Sequence, residues 1–246
     1  MIKIITLITK FIIVTLTALL FTSCNHIINM KSIEGSGHVT TEKRIVQGDF
    51  KSVEVSNAID LVIEQSNKIE IIVEADDNLQ KAITTKVENG VLVIACDYNS
   101  FNNIKSKKVT VKMPAINRLE ASSAATIKSS NTLKGENIKL ESSSAASIDV
   151  NIESDTIFCE ASSGSTIDIN GKALKLETEA SSGSTIDAKD LLANEIKAEA
   201  SSGASINVHP IVSLEAEASS GGSVSYNTVP KSIRKEANSG GSVHLE

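Results

Sequence analysis

Three groups of residues in this sequence could do chemistry: a cysteine at the end of an apolar leader, a series of evenly spaced glutamates, and the serines and glycines that follow each glutamate. The glutamates are Glu120, Glu141, Glu160, Glu179, Glu199, Glu217 and Glu236, at intervals of 21, 19, 19, 20, 18 and 19 residues. Behind them stand segments such as Ala161-Ser162-Ser163-Gly164-Ser165. A glycine-rich phosphate cradle needs a lysine and a following helix, and neither is present here. A serine nucleophile needs a matching base, and seven near-identical serine clusters share four histidines, His26, His38, His209 and His244, which show no metal-ligand spacing. No catalytic, cofactor-binding or metal-binding residue is therefore expected, and the chain does not read as an enzyme. The glutamates do pose an electrostatic problem. Stacked about 4.8 Å apart, like charges repel by about 3 to 4 kcal/mol at an effective dielectric of 20. Water, salt and the basic residues Lys139, Lys197, Arg234 and Lys235 are expected to relieve this; weak Ca²⁺ binding to an open carboxylate column is the alternative.

Such residues need an element that repeats with them. A period near twenty, with apolar alternation on both sides of a small-residue turn, belongs to a chain wound into stacked coils that bury their apolar side chains against one another. The fold class is all-β: a β-solenoid of about 18–21 residues per coil. Ala or Ser after each glutamate, and Ile127, Ile148, Ile167, Ile186, Ile206, Val224 and Val243 after each turn, should point inward. The intervening glutamates then face water, because strand side chains alternate. The turn requires small side chains, and stacked hydroxyls can bond along the axis. Val53–Ile59, Val73–Leu79 and Val91–Ala95 keep the same phase and suggest about ten coils in sequence order, with Asp97–Ser106 protruding as a loop.

Composition narrows the function classes. Aromatic residues are 3% with no Trp, so the core must be layers of Ile, Val, Leu and Ala. Removing residues 1–23 takes away only Lys3 and Lys10, which leaves 22 basic against 30 acidic residues, a charge of −8. Nucleic acid, which needs a basic face, is not an expected partner. Cys159 reads as a small buried apolar residue, and Cys96 is too many coils away to reach it, so no disulfide is expected.

At the N-terminus two lysines precede an apolar run from Phe11 to Phe21 and then Thr22-Ser23-Cys24. The run is about eleven residues, too short to cross a bilayer as a helix, and ends in small residues. Residues 1–23 are expected to be a lipoprotein signal peptide. Phe21-Thr22-Ser23-Cys24 resembles the bacterial lipobox, with Phe in place of the usual Leu, which makes Cys24 the candidate lipidation site and lipid its link to the membrane. An uncleaved anchor with an incidental cysteine is the competing reading. Residues 24–44, with Gly35-Ser36-Gly37, read as a lipid-anchored tether, and 45–246 as the folded domain.

Several segments in this order, Asp49-Phe50-Lys51-Ser52-Val53-Glu54-Val55, Asp77-Asn78-Leu79, Asn89-Gly90-Val91-Leu92-Val93-Ile94, Val109-Thr110-Val111-Lys112-Met113-Pro114 and the Ser-Ser-Gly/Ala-Ser repeats, resemble the bacterial auto-transporter adhesin family with a head GIN domain. The resemblance implies that the solenoid is a single-stranded, right-handed parallel β-helix and that the protein belongs to the envelope, and it carries over no catalytic residue. Three functions compete. An adhesive or scaffolding module on the outer membrane needs only a rod, an anchor and exposed ladders. A periplasm-facing ligand-binding or envelope-stress protein is the second, and Asn25 after the cysteine favours outer-membrane sorting for either. A carbohydrate-active enzyme is the third, and the scarcity of aromatic platforms speaks against it. Beyond the membrane, the expected partner class is an extracellular or envelope protein or glycan.

Overall fold

Period-two alternation without helical periodicity leaves the chain only strands to form. The computed structural model describes residues 31–246 and contains strands and turns, with no helix among the described residues. Cys24, His26 and the leader lie outside them. The strands are β1 Ser32–Glu34, β2 Val39–Arg44, β3 Ser52–Val55, β4 Asp60–Gln65, β5 Glu70–Asp76, β6 Ile83–Glu88, β7 Val91–Cys96, β8 Ser100–Asn102, β9 Lys107–Met113 and β10 Arg118–Ala121. They continue as β11 Thr126–Ser129, β12 Leu133–Ser142, β13 Ser147–Ala161, β14 Thr166–Ala180, β15 Thr185–Ala200, β16 Ser205–Ala218, β17 Ser223–Tyr226, β18 Ser232–Ala237 and β19 Ser242–Leu245.

From β10 onward each strand pairs parallel with the strand of the next coil, so that Ile127, Ile148, Ile167, Ile186, Ile206, Val224 and Val243 form one column. The first six are fully buried. Each such side chain contributes about 1.5–3 kcal/mol on burial, and no coil can collect that alone. The result is a parallel β-solenoid of about seven turns. The expected pair of short strands per coil is an underestimate: β13 to β16 are 14 to 16 residues long and carry the third side in strand conformation too. Differences in repeat length are absorbed on that side, where the register shifts between Asp168 and Asn170 and between Ala188 and Leu192.

The N-terminal half departs from the expected succession of about ten coils. β3 and β4 lie directly beneath β10 and β11, while β7 and β9 lie beneath β3 and β4, so stacking order here differs from chain order. β5 runs antiparallel to β9, β2 antiparallel to β5, and β6 antiparallel to β7. These strands, with fully buried Leu79 in the β5–β6 connection, close that end of the stack. Residues 32–34 and 39–44, expected as tether, are paired strands of this closure. Nor is Asp97–Ser106 a free loop, because β8 within it pairs with β1.

The latch of this region is Asp76, which is fully buried. Its Oδ2 accepts the Gly37 N–H at 3.0 Å, and its Oδ1 accepts the Lys105 and Ser106 N–H groups at 3.0 Å each. Burial works against the charge, yet the N–H groups of Ser106, Gly37 and Lys105 outweigh it and hold this carboxyl below its ordinary pKa. Cys96 and Cys159 are both free and buried. Cys159 shares a column with Leu140, Leu119, Val53 and Leu92, four rungs or roughly 19 Å from the level of β7, too far for a bridge.

Candidate functional site

On the strand segments that carry the glutamates the coils pair parallel and without register shifts, so each outward position there becomes a column. Glu54, Glu120, Glu141, Glu160, Glu179, Glu199, Glu217 and Glu236 stand in one line. Two residues earlier on the same strands runs a second column, Arg118, Lys139, Phe158, Glu177, Lys197, Glu215 and Arg234. The two interlock as ion pairs. Arg118 bridges Glu120 and Glu141, Lys139 reaches Glu141 at 2.7 Å and Glu160 at 3.5 Å, Lys197 reaches Glu199 at 2.6 Å, and Arg234 bridges Glu215 and Glu236. The repulsion within the glutamate line is thus relieved by side chains of the neighbouring column. Lys235, expected among these cations, is the exception, since alternation turns it toward the core side when Glu236 faces water.

The balance is uneven along the rod. Burial disfavours the Glu141 charge, but hydrogen bonds from Lys139 and Arg118 override it and lower the pKa. Glu120 moves the other way: burial first, then Glu54 and Glu141 on either side, raise its pKa in spite of Arg118. The opposite signs have one cause, because the single guanidinium is shared and Glu141 alone has a lysine as well. Within this line, Glu54, Glu179 and Glu217 have no ion-pair partner among the described residues.

Beside the glutamates lies the corner column of Ser162, Ser181, Ser201, Ser219 and Asn238, and the two together line a shallow groove of about 230 Å³. The corner itself explains the Ser-Ser-Gly signature. Ser163, Ser182, Ser202, Ser220 and Ser239 adopt left-handed φ of 49–54°, and the following residue is left-handed too, which glycine accommodates at least cost. In two coils that place is taken by Ala124 and Ala145. Two inward hydroxyls of the corner are committed to structure, whereas the buried Ser142 Oγ, next after Glu141, has no hydrogen-bond partner. Ser165 and Ser184 are buried and donate to the Ser142 and Ala161 carbonyls of the coil beneath, at 2.7 and 2.8 Å. Hydroxyl-to-hydroxyl bonding along the axis is confined to pairs such as Ser242 to Ser223 at 3.1 Å.

The face beyond the corner has its own columns, including Asp149, Asp168 and Asp187 in line. Burial, with Asp187 and Asp149 as neighbours, raises the Asp168 pKa. On the third side a broader groove of about 500 Å³ is lined by Lys134, Glu153, Lys172, Leu174, Leu192 and Ile211. Leu174 is 56% exposed there. This apolar surface and the half-exposed Phe158 were not singled out from sequence, because alternation gives the face of a residue and not how well its neighbours cover it. Among the described residues no three His, Cys, Asp or Glu side chains are grouped to hold a metal ion, and His38, His209 and His244 lie apart.

Parallel coils stacked from β10 onward, continued by β3, β4, β7 and β9 and flanked by the antiparallel β2, β5 and β6, define a β-solenoid. The chain belongs to the family described as "Putative auto-transporter adhesin, head GIN domain", whose model matches residues 49–230. Solved structures share the fold. A "putative adhesin" from Bacteroides fragilis matches with a TM-score of 0.80 at 19% identity, over 87% of this chain and 100% of its own. A "putative adhesin" from Parabacteroides merdae matches with a TM-score of 0.69 at 20% identity, over 88% of this chain and 99% of its own. A "putative lipid binding protein" from Parabacteroides distasonis matches with a TM-score of 0.70 at 20% identity, over 88% of this chain and 100% of its own. No curated protein is detectably similar in sequence.

Proposed function

We propose that this protein is a non-enzymatic lipoprotein of the outer membrane, held by acyl chains on Cys24, that acts as an adhesion or surface-scaffolding module. The observation that carries this reading is the exact register of the outward columns. The interior is filled by apolar side chains, so recognition falls to the faces, where repeated charges and hydroxyls at a fixed rise suit a repetitive partner. Membership of an auto-transporter adhesin family supports an envelope location. A periplasm-facing ligand-binding role is the second reading, favoured by the partly apolar groove around Leu174, Leu192 and Ile211. Protease shaving of intact cells followed by mass spectrometry separates the two: peptides from 45–246 released from intact cells support the surface role, and their release only after lysis supports the periplasmic one. Metabolic labelling with a palmitate analogue should mark the wild type and not Cys24→Ala; equal labelling of both would remove the anchor from this proposal.

A further inference from the structure

On the third side of the rod the outward positions change character along the axis. Lys134, Glu153, Lys172 and Leu192 form one outward column there, and the column beside it, Gly135, Ser154 and Ala173, consists of small residues. Small side chains between taller ones leave a trough, which is the groove of about 500 Å³ described above. At one end of it stand the charges of Lys134, Glu153 and Lys172. At the other, Leu174, Leu192 and Ile211 of β14, β15 and β16 line it and are exposed. Val229, 72% exposed, prolongs the apolar end by one rung: the Asn227 N–H donates to the Val208 carbonyl and Thr228 Oγ1 to the Pro210 carbonyl, which sets Val229 beside Ile211. Single surface hydrophobes are ordinary, but four on consecutive coils along one trough form a patch that a ligand would cover.

The charged end is not balanced within itself. Lys134 holds Glu153 at 3.0 Å, whereas Lys172 has no ion-pair partner among the described residues, and Asp155 in the same groove does not reach it. We propose that the trough binds a medium-chain carboxylate, with its carboxylate at Lys172 Nζ and its straight alkyl chain lying along Leu174, Leu192, Ile211 and Val229. This rests on the ligand-binding reading above and gives that reading its ligand class. The rod fixes the length. Three rungs of about 4.8 Å separate Lys172 from the level of Val229, roughly 14 Å, the extended length of a chain of about twelve carbons. A sugar would need aromatic platforms, and no aromatic ring is among the residues that line the groove. Because the groove is open, each methylene is covered on one side only. A fully buried methylene is worth about fourfold in affinity, and one half covered about twofold. The exposed charge pair with Lys172 adds about threefold.

The test is photo-cross-linking on washed membranes that carry the full chain, with a twelve-carbon carboxylate bearing a diazirine at its far end and the adducts mapped by mass spectrometry. Adducts should concentrate on Ile211 and Val229, and dodecanoate should displace them. Octanoate, four methylenes shorter, should need about tenfold more to compete, and dodecanol about threefold more. Lys172→Ala should erase the preference for dodecanoate over dodecanol while labelling persists. Leu192→Asp, at an exposed position, should remove the adducts, and Leu174→Ser should weaken them. Adducts spread evenly over the coils, labelling that dodecanoate does not displace, octanoate competing as well as dodecanoate, or a carboxylate preference that survives Lys172→Ala would each overturn the assignment. Location is read separately by protease shaving: an unlabelled groove on a rod shaved only after lysis removes the ligand and leaves the periplasmic reading, and a labelled groove on a rod shaved from intact cells does the reverse.

Discussion

Asp76 offers the sharpest quantitative test of how the N-terminal end is closed. Replacing it with alanine removes the acceptor of three backbone N–H groups, those of Gly37, Lys105 and Ser106, in a place with no solvent exposure. Hydrogen bonds to a charged group contribute about 1.5–3 kcal/mol each, but they are not additive, and water entering the vacated space would recover part of the loss. The expected destabilisation is about 3–5 kcal/mol. Asp76→Asn should be milder. If its carbonyl oxygen keeps Lys105 and Ser106, its amide NH₂ faces the Gly37 N–H, donor against donor, at about 1–3 kcal/mol. Urea denaturation measures the totals. Amide exchange locates them: Gly37, Lys105 and Ser106 should lose protection in Asp76→Ala while Thr178 to Ala180, several coils away, keep theirs. The pH dependence has a fixed sign. Because the folded pKa lies below the unfolded one, the contribution of Asp76 is complete above the unfolded value of about 3.9 and disappears as pH falls through the folded value, where wild type and Asp76→Ala should converge. A loss under about 0.5 kcal/mol for Asp76→Ala at neutral pH would refute the latch.

Three further outcomes test the register and the charged columns. Ile167→Asp should cost several kcal/mol because it buries a charge in a filled column, whereas Asp168→Asn should leave stability at neutral pH unchanged or slightly raised. The folded pKa of Asp168 is raised, so its carboxylate weighs against the fold as pH rises through and above that value, and the benefit of Asp168→Asn should fade in acid; equal losses from the two substitutions in a thermal melt would mean the register is wrong. Gly171→Ala should also cost several kcal/mol: Gly171 sits at φ +121°, and an added Cβ would meet the Ile152 carbonyl of the coil beneath. An unperturbed melt would show that the backbone can shift there. For the glutamates, millimolar Ca²⁺ should raise the melting midpoint no more than Na⁺ of equal ionic strength, and Glu160→Gln with Glu179→Gln should not alter that result; a Ca²⁺-specific increase lost in the double variant would show a cation site along the column.

What could be read from the sequence follows from what a periodic pattern encodes. The fold class, the inward Ile column and the outward glutamates were legible because a period near twenty fixes the coil and a period of two fixes the face. Direction and stacking order were not. Val73-Glu74-Ala75 alternates identically whether its strand runs parallel or antiparallel, so β5 passed for a coil although it pairs antiparallel with β9. The same ambiguity hid the inversion that places β3 between β7 and β10. Asp76 was equally opaque, because its partners come from Gly37 and from Lys105 and Ser106, segments that no local pattern links to it. Lys235 is different in kind. Sorting by charge placed it with the cations that relieve the glutamate column, yet the rule that turns Glu236 toward water turns its neighbour inward. On β18 alternation outranks charge type: Lys235 follows Ala198 and Ala216 in register, and the cation that meets Glu236 on the outward face is Arg234.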